Sequence, residues 1–254
     1  MRELERKTAA YKPSPAPRAV ASVAVVGRGH LGRSLSAALS AAGYDAGPPL
    51  GRGELPAAAD AILLCVPDSE IAAAASAVAG AAPYVGHTSG ATPLTALEAA
   101  GAQAFGLHPL QTVTVEGADL SGCGAAVAGA TPAALDLART LAERLGMTPF
   151  EVRDDQRAAY HAAASIASNY LVTLEWAAQT LAARAGVDAP FGPLVRTTLE
   201  NVLALGPRAA LTGPIARGDE ATVARQREAV AATTPELLSL FDALADRTRA
   251  LVAA

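Results

Sequence analysis

The stretch Val23–Leu35, VAVVGRGHLGRSL, constrains the fold of this chain more than any other feature. The run Ala21–Val26 is apolar on both faces, as a central parallel strand requires. Gly27, Gly29 and Gly32 follow at once, and Leu31–Ala42 then continues with a helical pattern. Three glycines at this spacing are weak evidence by themselves. Between a buried strand and a helix start, each has a physical job. The first allows a tight turn, the second lets backbone approach a pyrophosphate, and the third lets helix touch sheet. Free amides at the helix start would hold the phosphates. The residues expected to line such a cofactor are Gly27, Arg28, Gly29, His30, Leu31 and Gly32.

The rest of the first half repeats the pattern. Strands are expected at Val20–Val26, Ala61–Val66, Tyr84–His87, Ala102–Leu107, Gly124–Ala128 and Pro149–Val152. Helices are expected at Leu31–Ala42, Ser69–Ala79, Pro93–Ala100 and Pro132–Leu145. Such alternation implies crossovers and a doubly wound, mostly parallel sheet, the α/β architecture of Rossmann type. The segment DAGPPLGRGELPAAAD is too broken for a full helix, so the second crossover should be short. After Asp154 the strand signal stops. Asp155–Ala185 reads as one long helix closed by Gly186, and three more helical segments follow, with Thr234 a cap and Pro235 at a first helical position. The expected organisation is a tail over residues 1–19, a dinucleotide-binding domain over 20–153 and an all-α substrate and dimerisation domain over 154–254. The charged, Pro-rich opening reads as a flexible tail and not as a signal peptide.

Composition narrows the function classes. With 51% hydrophobic and 17% charged residues the chain is not disordered. A net charge of -4 without a basic block argues against a nucleic-acid surface. No apolar run is long enough for a membrane span. Cys65 and Cys123 show neither CxxC nor zinc spacing and read as reduced structural thiols, with no metal site. A cytoplasmic protein is expected.

The choice of nucleotide falls about twenty residues beyond the glycines, where an acidic side chain would bind the ribose of NAD. Here GPPLGRG carries no carboxylate but does carry Arg52, which suits a 2′-phosphate. NADP is therefore favoured over NAD, with Arg28 a second charge. The strand LLCV leads into Val66, Pro67 and Asp68 along the same groove, where Asp68 can cap the next helix.

Chemistry candidates end other apolar runs. In GHTSG, His87 is either a packed or capping histidine or a site residue, and Ser89 either reaches substrate or starts a helix. In GLHPL, His108 precedes Pro109, which lacks a donor and holds a rigid extended exit. An imidazole fixed beside a nicotinamide can take or supply the proton that accompanies hydride transfer. On the expected long helix, His161, Ser165, Ser168 and Asn169 are spaced i, i+4, i+7, i+8 and share one face, a polar stripe turned to a cleft or to water. Arg217, in LTGPIARGD, is available for an anionic group, and Asp219 for capping a helix.

Together HTSG, GLHPLQT, YHAAASIASNY and LTGPIARGD resemble the bacterial Rossmann-like proteins that carry a C-terminal helical domain of unknown function. The resemblance runs from about Val20 to the C-terminus. It implies a fold similar to 6-phosphogluconate dehydrogenase and pyrroline-5-carboxylate reductase relatives, a helical dimerisation domain and an NAD(P)-dependent oxidoreductase activity, but no substrate. His30 departs from it, standing where relatives often have a basic residue. GLHPL also resembles the HPM stretch of prephenate dehydrogenases, which implies an acid–base role for His108.

The leading expectation is a homodimeric NADP-dependent oxidoreductase. It would move hydride between nicotinamide and a small polar, anionic carbonyl, imine or alcohol at the cleft between the domains. His108 would handle the proton, with Ser89, His161 and Asn169 beside it and Ser165 and Arg217 binding substrate. The rival is a catalytically silent NADP-binding sensor or assembly protein.

Overall fold

In the computed structural model, which describes residues 20–254, the apolar runs form a six-stranded sheet. The tail expected over residues 1–19 lies outside the described residues. The strands are β1 (Val23–Val26), β2 (Ala61–Leu64), β3 (Tyr84–His87), β4 (Gln103–Leu110), β5 (Gly124–Gly129) and β6 (Thr148–Glu151), in that spatial order. Only the β4–β5 pair is antiparallel. Outside β1, the segment Asp45–Leu50 runs parallel to it through isolated bridges, Ser22↔Asp45 and Val26↔Leu50. Pro48 and Pro49 supply no amide donors, which is why no full ladder forms there. The chain thus steps to one side of β1 and returns on the other as β2. That reversal of order places a topological switch point between β1 and β2, the position where open α/β sheets bind ligands.

Both sheet faces are covered. Helices α1 (His30–Ala41) and, later in the chain, Pro132–Arg144 share a core with Leu35, Leu39, Leu63, Phe105, Leu107 and Leu141. The other face packs α2 (Ile71–Ala77) and a 3-10 helix, Leu94–Ala100, against Ile62, Leu64, Val85 and Leu97. Two expected helices are thereby corrected. Ser69–Ala79 is a 3-10 turn, Asp68–Glu70, running into the short α2, and Pro93–Ala100 is 3-10 throughout. The helix Pro132–Arg144, α3, shows why alanine dominates this chain: Ala134, Ala138 and Ala142 are fully buried and let the helix axis lie close to the strands.

The single helix expected over Asp155–Ala185 is broken. Helix α4 (Arg157–Ala167) stops, Ser168 takes φ −121° and ψ −72°, and α5 (Asn169–Arg184) starts afresh. Ser and Asn compete for backbone hydrogen bonds in helix interiors, and here they stand adjacent at the break. The chain divides into two compact units after Ser165, later than the boundary expected at residue 153. The reason lies in α4, whose Arg157 is buried and whose Tyr160 packs edge-on against Phe150 and His108 of the first unit.

The second unit contains α5, α6 (Gly192–Leu205), α7 (Pro207–Ala210), α8 (Glu220–Thr233) and α9 (Leu238–Ala253). Asp219 caps α8, accepting from the Thr222 amide at 3.1 Å. Thr234 is buried but caps nothing with its side chain; Pro235 opens a 3-10 turn as its fixed φ allows. Helices α8 and α9 bury Val223, Val230 and Ala245 and are tied by Arg227–Asp242 and Arg249–Glu220 ion pairs. No residue of α5 or α6 is fully buried, although Leu171, Leu174, Leu181 and Val195 are half-buried. Among the described residues no helix is long and apolar enough to cross a membrane.

Candidate active site

The glycine turn has the geometry its spacing predicts. Gly27 sits at φ +122°, and a Cβ there would lie 2.1 Å from the Cys65 carbonyl oxygen. A Cβ on Gly32 would lie 1.9 Å from the Gly27 carbonyl oxygen, so helix and turn touch backbone to backbone. Gly29 is different: nothing lies within 4 Å of its Cβ position, so its backbone borders open space. It is also the N-cap of α1 and has no side chain to satisfy the first amides. Exposed, uncapped N–H groups at a switch point form a cradle for phosphate. Leu31 packs partly against the core. The exposed His30 ring bonds Arg33 at 2.8 Å, and Arg33 in turn donates to the Arg28 carbonyl. Val66 and the exposed Pro67 lie at the carboxyl end of β2, across the switch point.

The ribose zone needs a correction. It was expected to be free of carboxylates, but the fold brings two to it. Arg28 forms a bidentate pair with Glu54 at 2.7 Å and donates to the Pro49 carbonyl. Arg52 pairs with Glu70 at 2.8 Å. The Gly51 amide, with Arg28 beside it, holds the Glu54 carboxyl below its ordinary value. Both pairs are surface pairs, and the Arg52 side chain stays 87% exposed. Exposed pairs of this kind contribute little to stability and can exchange for a better anion.

A second cluster gathers around β4. The β3 pairing ends at His87↔Gly106, while β5 continues to pair with β4 out to Leu110. His108 therefore stands inside a strand, not at its end as expected, yet beyond the reach of β3. Its Nδ1 lies 2.7 Å from the Tyr160 hydroxyl. The His161 ring is edge-on at 6.1 Å. Gly90 makes room for both rings, since a Cβ there would come within 2.9 Å of His108 Cε1 and of His161 Nδ1. Burial first, then the neighbouring His161, pushes the His108 pKa down to about 4, so the ring is neutral at pH 7. Burial pushes Tyr160 up to about 12.

The residues of GHTSG divide differently from expectation. His87 is fully buried, its pKa lowered to about 4 by burial and by Arg157, and its Nδ1 accepts from the Ser89 amide. It is a packed histidine. Ser89 is also buried: its hydroxyl donates to Asp68 Oδ2 at 2.8 Å, accepts from the Ala91 and Thr92 amides, and contacts Thr92 Oγ1. These four contacts occupy the hydroxyl and tie this loop to the end of β2; the catalytic role expected of Ser89 would require it to exchange one of them. Asp68 accepts that bond and caps no helix; Pro67 holds the N-cap position.

Of the expected substrate groups, the fold unites His108 and His161. Ser165 is half-buried on α4 in the same unit. The break at Ser168 ends the stripe there. Asn169 opens α5 in the second unit with its side chain exposed, and Arg217 stands exposed on a 3-10 turn, Ile215–Arg217. Three contributors went unnoticed in the sequence: Tyr160, Gly90 and Arg157. The last is a nearly fully buried arginine paired with Asp154 at 2.7 Å. The motifs YHAAASIASNY and GHTSG contain Tyr160 and Gly90, but nothing local in them marks either residue. Cys65 and Cys123 are free thiols, and burial pushes Cys65 up to about 12, so it stays protonated.

Comparison with known proteins agrees with this architecture. The model of a domain of unknown function, DUF2520, matches residues 123–248 and so includes β5, α3 and β6 as well as most of the second unit. Among solved structures, the "putative NADP oxidoreductase" of Bacteroides fragilis is similar over 91% of this chain and 98% of its own, at 19% identity and a TM-score of 0.78. A protein of Thermotoga maritima is similar over 91% and 100%, at 22% identity and a TM-score of 0.77. A reductive aminase of Aspergillus terreus, solved with NADPH and ethyl-5-oxohexanoate, covers 90% and 93% at 16% identity and a TM-score of 0.60. At these identities the likeness establishes the fold, a Rossmann-type α/β domain followed by helices. No protein of curated function matches the sequence.

Proposed function

We propose that the chain is an NADP-dependent oxidoreductase that moves hydride between nicotinamide and a small polar carbonyl, imine or alcohol carbon. The observation that carries the reading is the uncapped start of α1 at Gly29, open to ligand and placed at the switch point. The pyrophosphate would sit on the amides of His30, Leu31 and Gly32. Arg52 and Arg28 would exchange Glu70 and Glu54 for the 2′-phosphate, leaving Val66 and Pro67 to border the groove. Bound there, the cofactor supplies or accepts hydride. This chain's own contribution is the proton: His108, neutral at pH 7 and held by Tyr160, meets the reacting heteroatom, with His161 beside it. The NADPH named with the A. terreus reductive aminase and the NADP named with a Plasmodium falciparum pyrroline carboxylate reductase, also similar in fold, support the choice of cofactor.

The reading extends to assembly and location. Helices α5 and α6 leave Trp176 58% and Leu203 87% exposed, apolar surface that a second copy would cover. A homodimer follows. Its free thiols suit the reducing cytoplasm. The roles expected of Asn169 and Arg217 rest on the second unit, and the reading does not depend on them.

Titration of NADPH and NADH fluorescence tests the cofactor assignment. NADPH should bind more tightly, and Arg52→Ala should erase the preference; equal or stronger NADH binding removes the 2′-phosphate assignment. Once a substrate is found, His108→Ala should lower turnover by about 10²–10⁴-fold and leave NADPH affinity nearly intact. Unchanged turnover would give the silent-sensor reading the lead.

A further inference from the structure

The Tyr160 hydroxyl carries one hydrogen, and among the described residues its only hydrogen-bond partner is His108 Nδ1, at 2.7 Å. A phenol that gives this hydrogen to Nδ1 makes that nitrogen the acceptor. A neutral imidazole that accepts at Nδ1 carries its proton on Nε2. Among the described residues, the one sealed-off side-chain nitrogen or oxygen without a partner is His87 Nε2, so His108 Nε2 is not closed in by them. Tyr160 is itself fixed: its ring lies edge-on to Phe150 at 5.8 Å and to His108 at 5.6 Å. The charged and titratable groups around the imidazole are His161, Asp68, Arg157 and His87, and no carboxylate is bonded to the ring.

We propose that Tyr160 is a positioning residue that locks His108 in the Nε2–H tautomer, so that the site offers a donor and takes substrates whose reacting carbon bears an acceptor, C=N or C=O. The inference rests on the reading that His108 meets the substrate, and it commits that site to reduction. When the C=N or C=O carbon gains hydride from reduced nicotinamide, the π pair goes to nitrogen or oxygen. That atom takes the Nε2 proton while Nδ1 takes the Tyr160 proton; as product leaves, Tyr160 regains its proton from Nδ1 and water reprotonates Nε2, which restores the starting tautomer. An alcohol would need the opposite tautomer, with Nε2 free to accept.

Nitrogen-15 NMR of the uniformly labelled protein tests the lock without any substrate, with the His108 signals assigned by their loss in His108→Gln. At pH 7 the ring should be protonated at Nε2 alone, and Tyr160→Phe, which keeps the ring packing, should give a mixture of tautomers. Protonation of Nδ1 in the wild type, or an unchanged spectrum in Tyr160→Phe, overturns the proposal. The second arm presents small cyclic imines and keto acids with NADPH, and the corresponding amines and hydroxy acids with NADP. Reduction should dominate, and Tyr160→Phe should cost about tenfold or more in kcat with KM nearly unchanged. Oxidation alone, or an effect confined to KM, overturns the substrate class. Cofactor binding without turnover in either direction would sink the enzyme reading, while the tautomer result would still stand or fall by the spectrum.

Discussion

Helices α3 and α5 are close in length, 13 and 16 residues, yet they belong to different physical situations. In the first unit α3 buries Ala134, Leu137, Ala138, Leu141 and Ala142 against a sheet. In the second, no α5 residue is fully buried: Leu171, Leu174 and Leu181 are half-buried, and Val172 and Trp176 stand exposed. Both carry apolar faces, and α3 covers its face far more completely than α5 does. The contrast teaches that the first unit has a closed core, while the second leaves apolar side chains of α5 and α6 exposed, the surface on which the proposed dimer rests.

The strongest way to break this comparison is at backbone contacts. Gly32→Ala should cost at least about 4 kcal/mol in urea denaturation or prevent folding, because backbone and not a flexible side chain blocks the new Cβ. Gly29→Ala meets no atom within 4 Å and should leave the unfolding midpoint in place while weakening NADPH binding. If the two variants behave alike, the distinction between a packing glycine and a ligand glycine is wrong.

Core leucines give the next largest effect. Leu141→Ala should lose about 2–5 kcal/mol, and the exposed Leu203→Ala only about 0.5 kcal/mol within one chain. Leu203→Asp should instead shift the mass seen by light scattering from dimer to monomer. A wild-type monomer at micromolar concentration would remove the proposed dimer and leave the open face of α5 and α6 without its explanation.

Acid sharpens the contrast further, because the buried imidazoles lie in the first unit. His87 is buried neutral, its pKa depressed from 6.5 to about 4. Between those values the unfolded chain binds the extra proton, so stability rises with pH. It is fully present above about pH 6.5 and falls as pH drops toward 4, by roughly 3 kcal/mol from His87. Hydrogen exchange across that range should show β3 and β4 losing protection before α8 and α9. The smallest effect belongs to the ribose zone. Arg52→Ala should change stability by no more than about 0.5 kcal/mol, since its pair with Glu70 is exposed, while abolishing the preference for NADPH.

Much of this protein was legible because its signals are local. The strand–glycine–helix order at Ala21–Ala42, the short crossover around Pro48 and Pro49, and the Asp219 cap each depend on residues a few positions apart. Periodicity and turn chemistry act over the same range, so the sheet and the glycine cradle could be read from sequence. The break at Ser168 was missed because α4 is committed by tertiary contacts of Arg157 and Tyr160, while the apolar pattern runs on through it.

What only the tertiary structure decided are the pairings across long separations. Tyr160 reaches His108 over 52 positions, Arg28 meets Glu54 over 26, and Ser89 is captured by Asp68 over 21. No periodicity encodes such contacts. They depend on which strand ends the fold brings side by side, and burial then sets the protonation of His108 and Tyr160. By itself the sequence determined that the chain forms a sheet whose first strand runs through a glycine turn into an uncapped helix start. Which histidine sits beside a tyrosine, and which serine is spent on a loop, followed from packing, because desolvation and hydrogen-bond partners exist only once the strands are side by side.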